Sequence, residues 1–207
     1  MQKIVLASGN AKKVKELSAL LAGSDYQIIP QTELNVPEVP ETGTTFVENA
    51  IIKARHAAKV TGLPAIADDS GIEVDYLNGL PGIYSARFAS LDDASQQQNA
   101  DDQANNDLLL HKLKGVAESD RTARYQCILV FMKHADDPTP IICQGSWEGR
   151  ILEQERGHNG FGYDPLFWCP EHQCAAAELS AKDKAAISHR GKALRCLVQK
   201  LSALTTI

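Results

Sequence analysis

Several large classes are closed to this chain by what it lacks. No apolar run approaches the ~20 residues needed to cross a bilayer as a helix, so no membrane partner is expected. Cysteine is sparse, and Cys127, Cys143, Cys169, Cys174 and Cys196 form no CxxC pair, which argues against both a zinc site and a disulfide framework. Neither sign of charge dominates: 21 basic side chains face 26 acidic ones, a net charge of −5. Such a balance suits non-specific nucleic-acid binding poorly, because that binding depends on phosphate-neutralising Lys and Arg. It leaves room for a small anionic ligand in a locally basic cleft. The opening Met1–Ser8 reaches a turn too soon for a signal peptide, and the expected address is the cytoplasm.

What is present is ordinary globular composition, 43% apolar and 23% charged over 207 residues. Lys3–Ser8 is rich in β-formers and ends at Gly9-Asn10. Asn10 suits a helix N-cap, with Val14, Leu17 and Leu20-Leu21 at helical spacing behind it. Tyr26–Ile29 reads as a second strand stopped by Pro30, followed by a Pro- and Glu-rich loop to Gly43. Thr45 with Glu48 is a capping-box signature for a helix to Lys59. Ala65-Ile66-Ala67 predicts a brief strand ending in Asp68-Asp69-Ser70-Gly71, with a half-buried strand continuing through Ile72, Val74 and Tyr76. Asp92–Asn106 reads as a polar, Gln-rich surface loop leading into a helix through Leu108 to Leu113, and the run 95–104 has no assigned role. Tyr125–Met132 and Pro140–Trp147 predict an antiparallel hairpin at the centre of a second lobe. Ser180–Leu204 predicts two helical pieces broken near Ser188. The alternation of strand and helix predicts an α/β fold. The expected form is a single domain over 1–207, in which a central mixed β-sheet with flanking helices carries two lobes and a cleft between them.

Four segments carry chemistry. In Ser8-Gly9-Asn10-Ala11-Lys12-Lys13, a strand turns into a helix whose free N–H groups and dipole favour an anion. Lys12, Lys13 and Lys15 oppose that dipole by ~0.3–1 kcal/mol each unless an anion offsets them, so the turn is either a phosphate site or a solvated basic turn. Glu41, Asp68 and Asp69 are hard oxygen donors with no nearby His or Cys. That set favours Mg²⁺, though Asp68 or Asp69 could equally cap a turn. Because neighbours on a strand face opposite ways, only one of the two aspartates should enter a given cleft. Lys53, inside the second helix, is a solvated lysine unless phosphate is bound. In Asn159-Gly160-Phe161-Gly162-Tyr163-Asp164-Pro165, Phe161 can offer its ring to a planar ligand or sit buried in a glycine corner. Finally, Ser188-His189-Arg190-Gly191 sets two more cations in a first helical turn, with Lys184 upstream; either acceptor-rich ligand atoms lie near them, or they are exposed side chains of an ordinary cap.

Together these segments, with Glu41–Ala50 and Pro81–Arg87, resemble the inosine triphosphate pyrophosphatase family of non-canonical purine nucleoside triphosphate pyrophosphatases, its bacterial branch above all. The ordered set spans nearly the whole chain. The resemblance implies an elongated, usually dimeric α/β protein and Mg²⁺-dependent hydrolysis of ITP, dITP and XTP to the monophosphate and pyrophosphate. Carried over by position, the turn Ser8, Gly9, Asn10, Ala11, Lys12 and Lys13 would hold the triphosphate with Lys53. Glu41 and Asp69 would bind the metal, Asp69 also activating water, with Ser70 beside the substrate. Phe161 would stack on the base, Asp164, Lys184, His189 and Arg190 would line its pocket, and Gly162 and Tyr163 would belong to the same substrate-binding segment. Lys12 stands where close bacterial relatives often carry glycine. Beside the metal, Asp69 should stay ionised at neutral pH, because an adjacent cation lowers a carboxylate pKa. Arg190 can only donate hydrogen bonds, so it suits the 6-oxo group of hypoxanthine or xanthine and not the 6-amino group of adenine. Two other classes fit some of these features: a non-catalytic purine nucleotide sensor, and an α/β phosphatase releasing orthophosphate.

Overall fold

The computed structural model describes residues 2–22, 26–91 and 100–204. Its elements are β1 (Gln2–Ala7), α1 (Ala11–Leu21), β2 (Tyr26–Pro30), α2 (Phe46–Thr61), β3 (Ala65–Val74), α3 (Asp102–Lys112), β4 (Thr122–Met132), β5 (Ile141–Ile151), β6 (Phe167–Cys169), β7 (Cys174–Ala175), α4 (Ala181–Ile187) and α5 (His189–Leu204). The strands form one open seven-stranded sheet in the order β2-β1-β3-β4-β5-β6-β7. It is mixed: β1 runs parallel to β2 and β3, while β6 is antiparallel to β5 and β7. The expected α/β class is therefore observed.

Two compact units divide the chain. Unit 1 comprises Met1–Asp69, Cys127–Gly145 and Arg190–Ile207; unit 2 comprises Ser70–Gln126 and Ser146–His189. In unit 1 the period of two along each strand sorts side chains onto two covered faces. Ile4, Leu6, Ile66, Cys127 and Leu129 meet Leu17 of α1 and Ala193, Leu194 and Leu197 of α5. Val5, Ala7, Ala65, Ala67, Ile128 and Val130 meet Ala50, Ala54, Ala57 and Ala58 of α2. Small side chains on α2 suit a helix pressed closely on a sheet. The core of unit 2 gathers Phe88, Leu109, Leu113, Tyr125, Trp147, Tyr163 and Phe167.

Local chemistry explains the boundaries. Asn10 caps α1 by accepting from the N–H groups of Lys12 and Lys13. The Thr45–Glu48 capping box opens α2, and Gly62 closes it in the left-handed conformation. Ser180 caps α4 through the Asp183 N–H.

Four expectations are corrected. β3 is one ten-residue strand, buried along nearly its whole length, because it has covered neighbours on both sides. The predicted hairpin strands extend to Thr122 and Ile151, and the unit boundary cuts both, so they are not the centre of a second lobe. α3 starts at Asp102, within the presumed loop, since Asn105 and Asn106 find buried partners that override their turn preference. Residues 92–99 of that stretch lie outside the described residues. The three- and two-residue strands β6 and β7 were not anticipated; they are too short to show a period and exist through pairing with β5.

Candidate active site

Asp68 and Asp69 stand mid-way along β3, immediately past its last pairing with β1, Ala7 opposite Ala67. Alternation sends them to opposite faces, as the sequence predicts. Asp68 shares the face of Ile66 and meets α1 and α5; Asp69 shares the face of Ala67 and meets α2.

The Asp68 carboxylate is wholly buried. Its Oδ1 accepts from Lys13 Nζ at 2.6 Å, and its Oδ2 accepts from Arg190 Nε at 3.3 Å and Cys127 Sγ at 3.1 Å. Arg190 also pairs with Glu16 through Nη1. Burial pushes Asp68 up, but Lys13 and Arg190 together outweigh it and hold its carboxyl well below the usual carboxylate range. Burial and the Asp68 charge push the Cys127 thiol up, so it stays protonated and donates.

On the other face, Lys53 Nζ bridges two carboxylates, Glu41 at 2.6 Å and Asp69 at 2.8 Å. Burial works against the ammonium, yet Asp69 and Glu41 outweigh it and raise the Lys53 pKa. Asp69 uses Oδ1 for this contact, while its Oδ2 is buried without a hydrogen-bond partner among the described residues. Its pKa is raised: burial exceeds the attraction of Lys53 and Lys13, and Glu41 adds repulsion. Raised basicity suits a proton acceptor.

At the start of α1, the anion needed to offset dipole-opposing lysines is partly internal, because Asp68 already faces Lys13. Asn10 spends its side chain on the first turn, Ser8 Oγ accepts from the Asn10 N–H at 3.2 Å, and Ala11 and Lys12 are exposed. A Cβ on Gly9 would overlap the Glu38 carboxylate, so this position must be glycine while Glu38 stays there.

Unit 2 carries the aromatic cluster. Gly160 and Gly162 adopt left-handed φ values of 78° and 61°, which turn the loop around Phe161. The buried Asp164 accepts from the Phe161 N–H at 2.8 Å and from Lys184 Nζ at 2.5 Å. That ammonium lies 5.2 Å from the Phe161 ring centroid, a cation–π contact. The Tyr163 side chain sits in the core of unit 2 with its hydroxyl donating to the Ser85 carbonyl at 2.8 Å. His189 stacks on Tyr125 with centroids 4.6 Å apart and planes 7° from parallel. With His189 4% and Arg190 3% exposed, the reading of an ordinary exposed cap is excluded. Ser70 is half-buried where β3 enters unit 2.

Sequence reasoning missed several supporting residues. Glu16 is one; it pairs with Arg190, 174 residues away, and no local spacing marks that contact. Asp102 and Asn106 of α3 are others: Asp102 accepts from the Gly162 N–H at 3.0 Å, and Asn106 donates to the Gly162 carbonyl at 3.2 Å. No local pattern marks that contact. Arg87 lies over the Tyr84 ring at 5.3 Å.

This arrangement can be set beside known proteins. Residues 4–200 match the profile of the Ham1 family. The chain belongs to the Ham1 family. The resemblance drawn from the ordered motifs thus holds. A dITP/XTP pyrophosphatase of Vibrio parahaemolyticus is 58% identical to this Ham1 chain, covering 99% of each protein. One of Vibrio cholerae is 56% identical, covering 100% of each. A solved Ham1 protein from Coxiella burnetii superposes with a TM-score of 0.88 at 50% identity, covering 98% of this chain and 100% of that one.

Proposed function

We propose that this Ham1 protein is a hydrolase that cleaves non-canonical purine nucleoside triphosphates, dITP, XTP and ITP, to the monophosphate and pyrophosphate. Full-length identity to dITP/XTP pyrophosphatases supports the reaction class. The observation that carries it is the Glu41–Lys53–Asp69 triad, in which Asp69 keeps one buried oxygen without a protein partner.

In this reading Ser8, Gly9, Asn10, Ala11, Lys12, Lys13 and Lys53 hold the triphosphate, with Ser70 beside it. Asp69 takes the proton of the attacking water. Phe161 stacks on the purine, and Gly162, Tyr163, Asp164, Lys184, His189 and Arg190 shape its recognition; the core position of Tyr163 gives it a supporting part. Glu41 and Asp69 fit Mg²⁺, which commonly uses one or two carboxylates and completes its shell with water and substrate phosphate. The local charge favours such an ion: Lys13, Lys53 and Arg190 are already set against Glu16, Glu41, Asp68 and Asp69. Little positive charge is left over for a tail carrying about four negative charges. When bound, the ion would neutralise that tail.

The proposal extends to a cytoplasmic homodimer with neither nucleic-acid nor membrane partner. The mildly acidic charge supports the first exclusion, and no helix among the described residues is long and apolar enough to cross a membrane.

Incubating the protein with ITP and Mg²⁺ should release pyrophosphate as the first product, and Asp69→Asn should lower kcat by ~10²–10⁴ with folding retained. Orthophosphate as first product would indicate a phosphatase. Tight binding without turnover would indicate a sensor.

A further inference from the structure

The five thiols play no part in the proposed reaction, yet two of them meet inside unit 1. Cys143 projects from β5 into the core and is 1% exposed. Cys196 lies on α5, half-buried at the edge of the same core. The two Sγ atoms are 2.7 Å apart. A disulfide requires ~2.05 Å between its sulfurs, so closing this pair asks for less than an ångström of movement. Fifty-three residues of sequence separate them.

We propose that Cys143 and Cys196 are a modification site, oxidised by peroxides to a reversible disulfide that ties α5 to β5. The partly exposed Cys196 is the sulfur a small oxidant reaches first. Its sulfur attacks a peroxide oxygen, the O–O bond breaks, and sulfenic acid and one water form. Cys143 then attacks the Cys196 sulfur, the S–O bond breaks and a second water leaves. Two thiols thus lose two protons and two electrons, and one hydrogen peroxide is reduced to two waters.

Burial and the neighbouring Cys196 push the Cys143 thiol up to about 12, which fits a resolving partner shielded from direct oxidation and unsuited to being the first nucleophile. The other candidate pair, Cys169 and Cys174, stands directly opposite across β6 and β7 in unit 2 and supplies an internal comparison. The bond would hold in place the helix that begins at His189-Arg190, so its effect is expected on stability more than on chemistry.

The test is to treat the full-length protein with hydrogen peroxide at low excess, quench free thiols, and measure intact mass and cross-linked peptides. The expected result is a loss of two mass units, a single peptide pair joining Cys143 to Cys196, and a Tm higher by several degrees, as loop closure by a disulfide gives. Dithiothreitol should reverse all three. Cys143→Ser and Cys196→Ser should each abolish the mass loss, and Cys169→Ser should leave it intact. No mass loss, a bond confined to Cys169–Cys174 or to a second chain, or a mass loss that survives Cys196→Ser would overturn the proposal. None of these readouts depends on nucleotide turnover, so the result stands apart from the proposed function.

Discussion

Asp68 is fully enclosed, yet it carries its charge because Lys13 and Arg190 reach it from two different helices. Removing the charge while keeping the shape, as in Asp68→Asn, leaves Lys13 and Arg190 short of a partner in a dry setting, and breaking a buried pair of this kind costs ~3–5 kcal/mol. Denaturant titration should show that loss. The pH dependence follows from the direction of the shift. Because the folded pKa lies below the ordinary 3.8, the contribution is complete above that value and disappears as pH falls through the folded value. Wild-type protein should therefore lose stability steeply on acidification, and Asp68→Asn should have a flatter acid limb in thermal melts recorded across that range. The division of labour between Asp68 and Asp69 was legible in outline, since strand alternation forces them apart. Which of them would be sealed against cations and which would keep an oxygen without a protein partner was not legible. That depends on α1, α2 and α5 arriving from distant parts of the chain.

Helix α2 presents Lys53 and owes its start to Thr45 and Glu48, whose side chains satisfy each other's backbone N–H groups. Thr45→Ala should cost ~1 kcal/mol, read as a fall of about 2–4 °C in Tm, with smaller effects on turnover because Lys53 lies two turns further on. Such caps are readable from sequence because their partners are three residues apart. Helix α3 is the opposite case. Asn106 holds the Gly162 carbonyl and the Glu155 carboxylate, contacts 56 and 49 residues away in sequence. Asn106→Leu should loosen the loop that presents Phe161, raising KM for the nucleotide several-fold with a smaller change in kcat. Steady-state kinetics would separate the two parameters, and an equal loss in both would argue against a role in holding the base. The sequence announces only the later part of this helix, from Leu108 on, and its polar first turns resemble a surface loop until their partners are known.

At the scale of the whole molecule, unit 1 is assembled from three separate stretches of chain and unit 2 from two. The first 69 residues contain β1, α1, β2, α2 and the start of β3, but the core they need includes Leu129, Phe131, Leu194 and Leu197 from later in the chain. A fragment ending at Asp69 should therefore fail to fold, showing no cooperative melt by circular dichroism. A native-like melt would contradict this account of the core. The chain's own order of residues determined the α/β class, the helix caps and the residue types of the site, because hydrophobic period, capping and charge density act over a few positions. Tertiary structure alone decided that Lys53 bridges Glu41 to Asp69, that Asp68 binds Arg190 from α5, that Tyr163 turns into the core, and that β6 and β7 exist. Each of these rests on burial or pairing that no local pattern announces: Lys53 meets Glu41 and Asp69 across 12 and 16 residues, Tyr163 meets Ser85 across 78, and Asp68 meets Arg190 across 122. Burial is also what raises Asp69 when a neighbouring lysine alone would lower it.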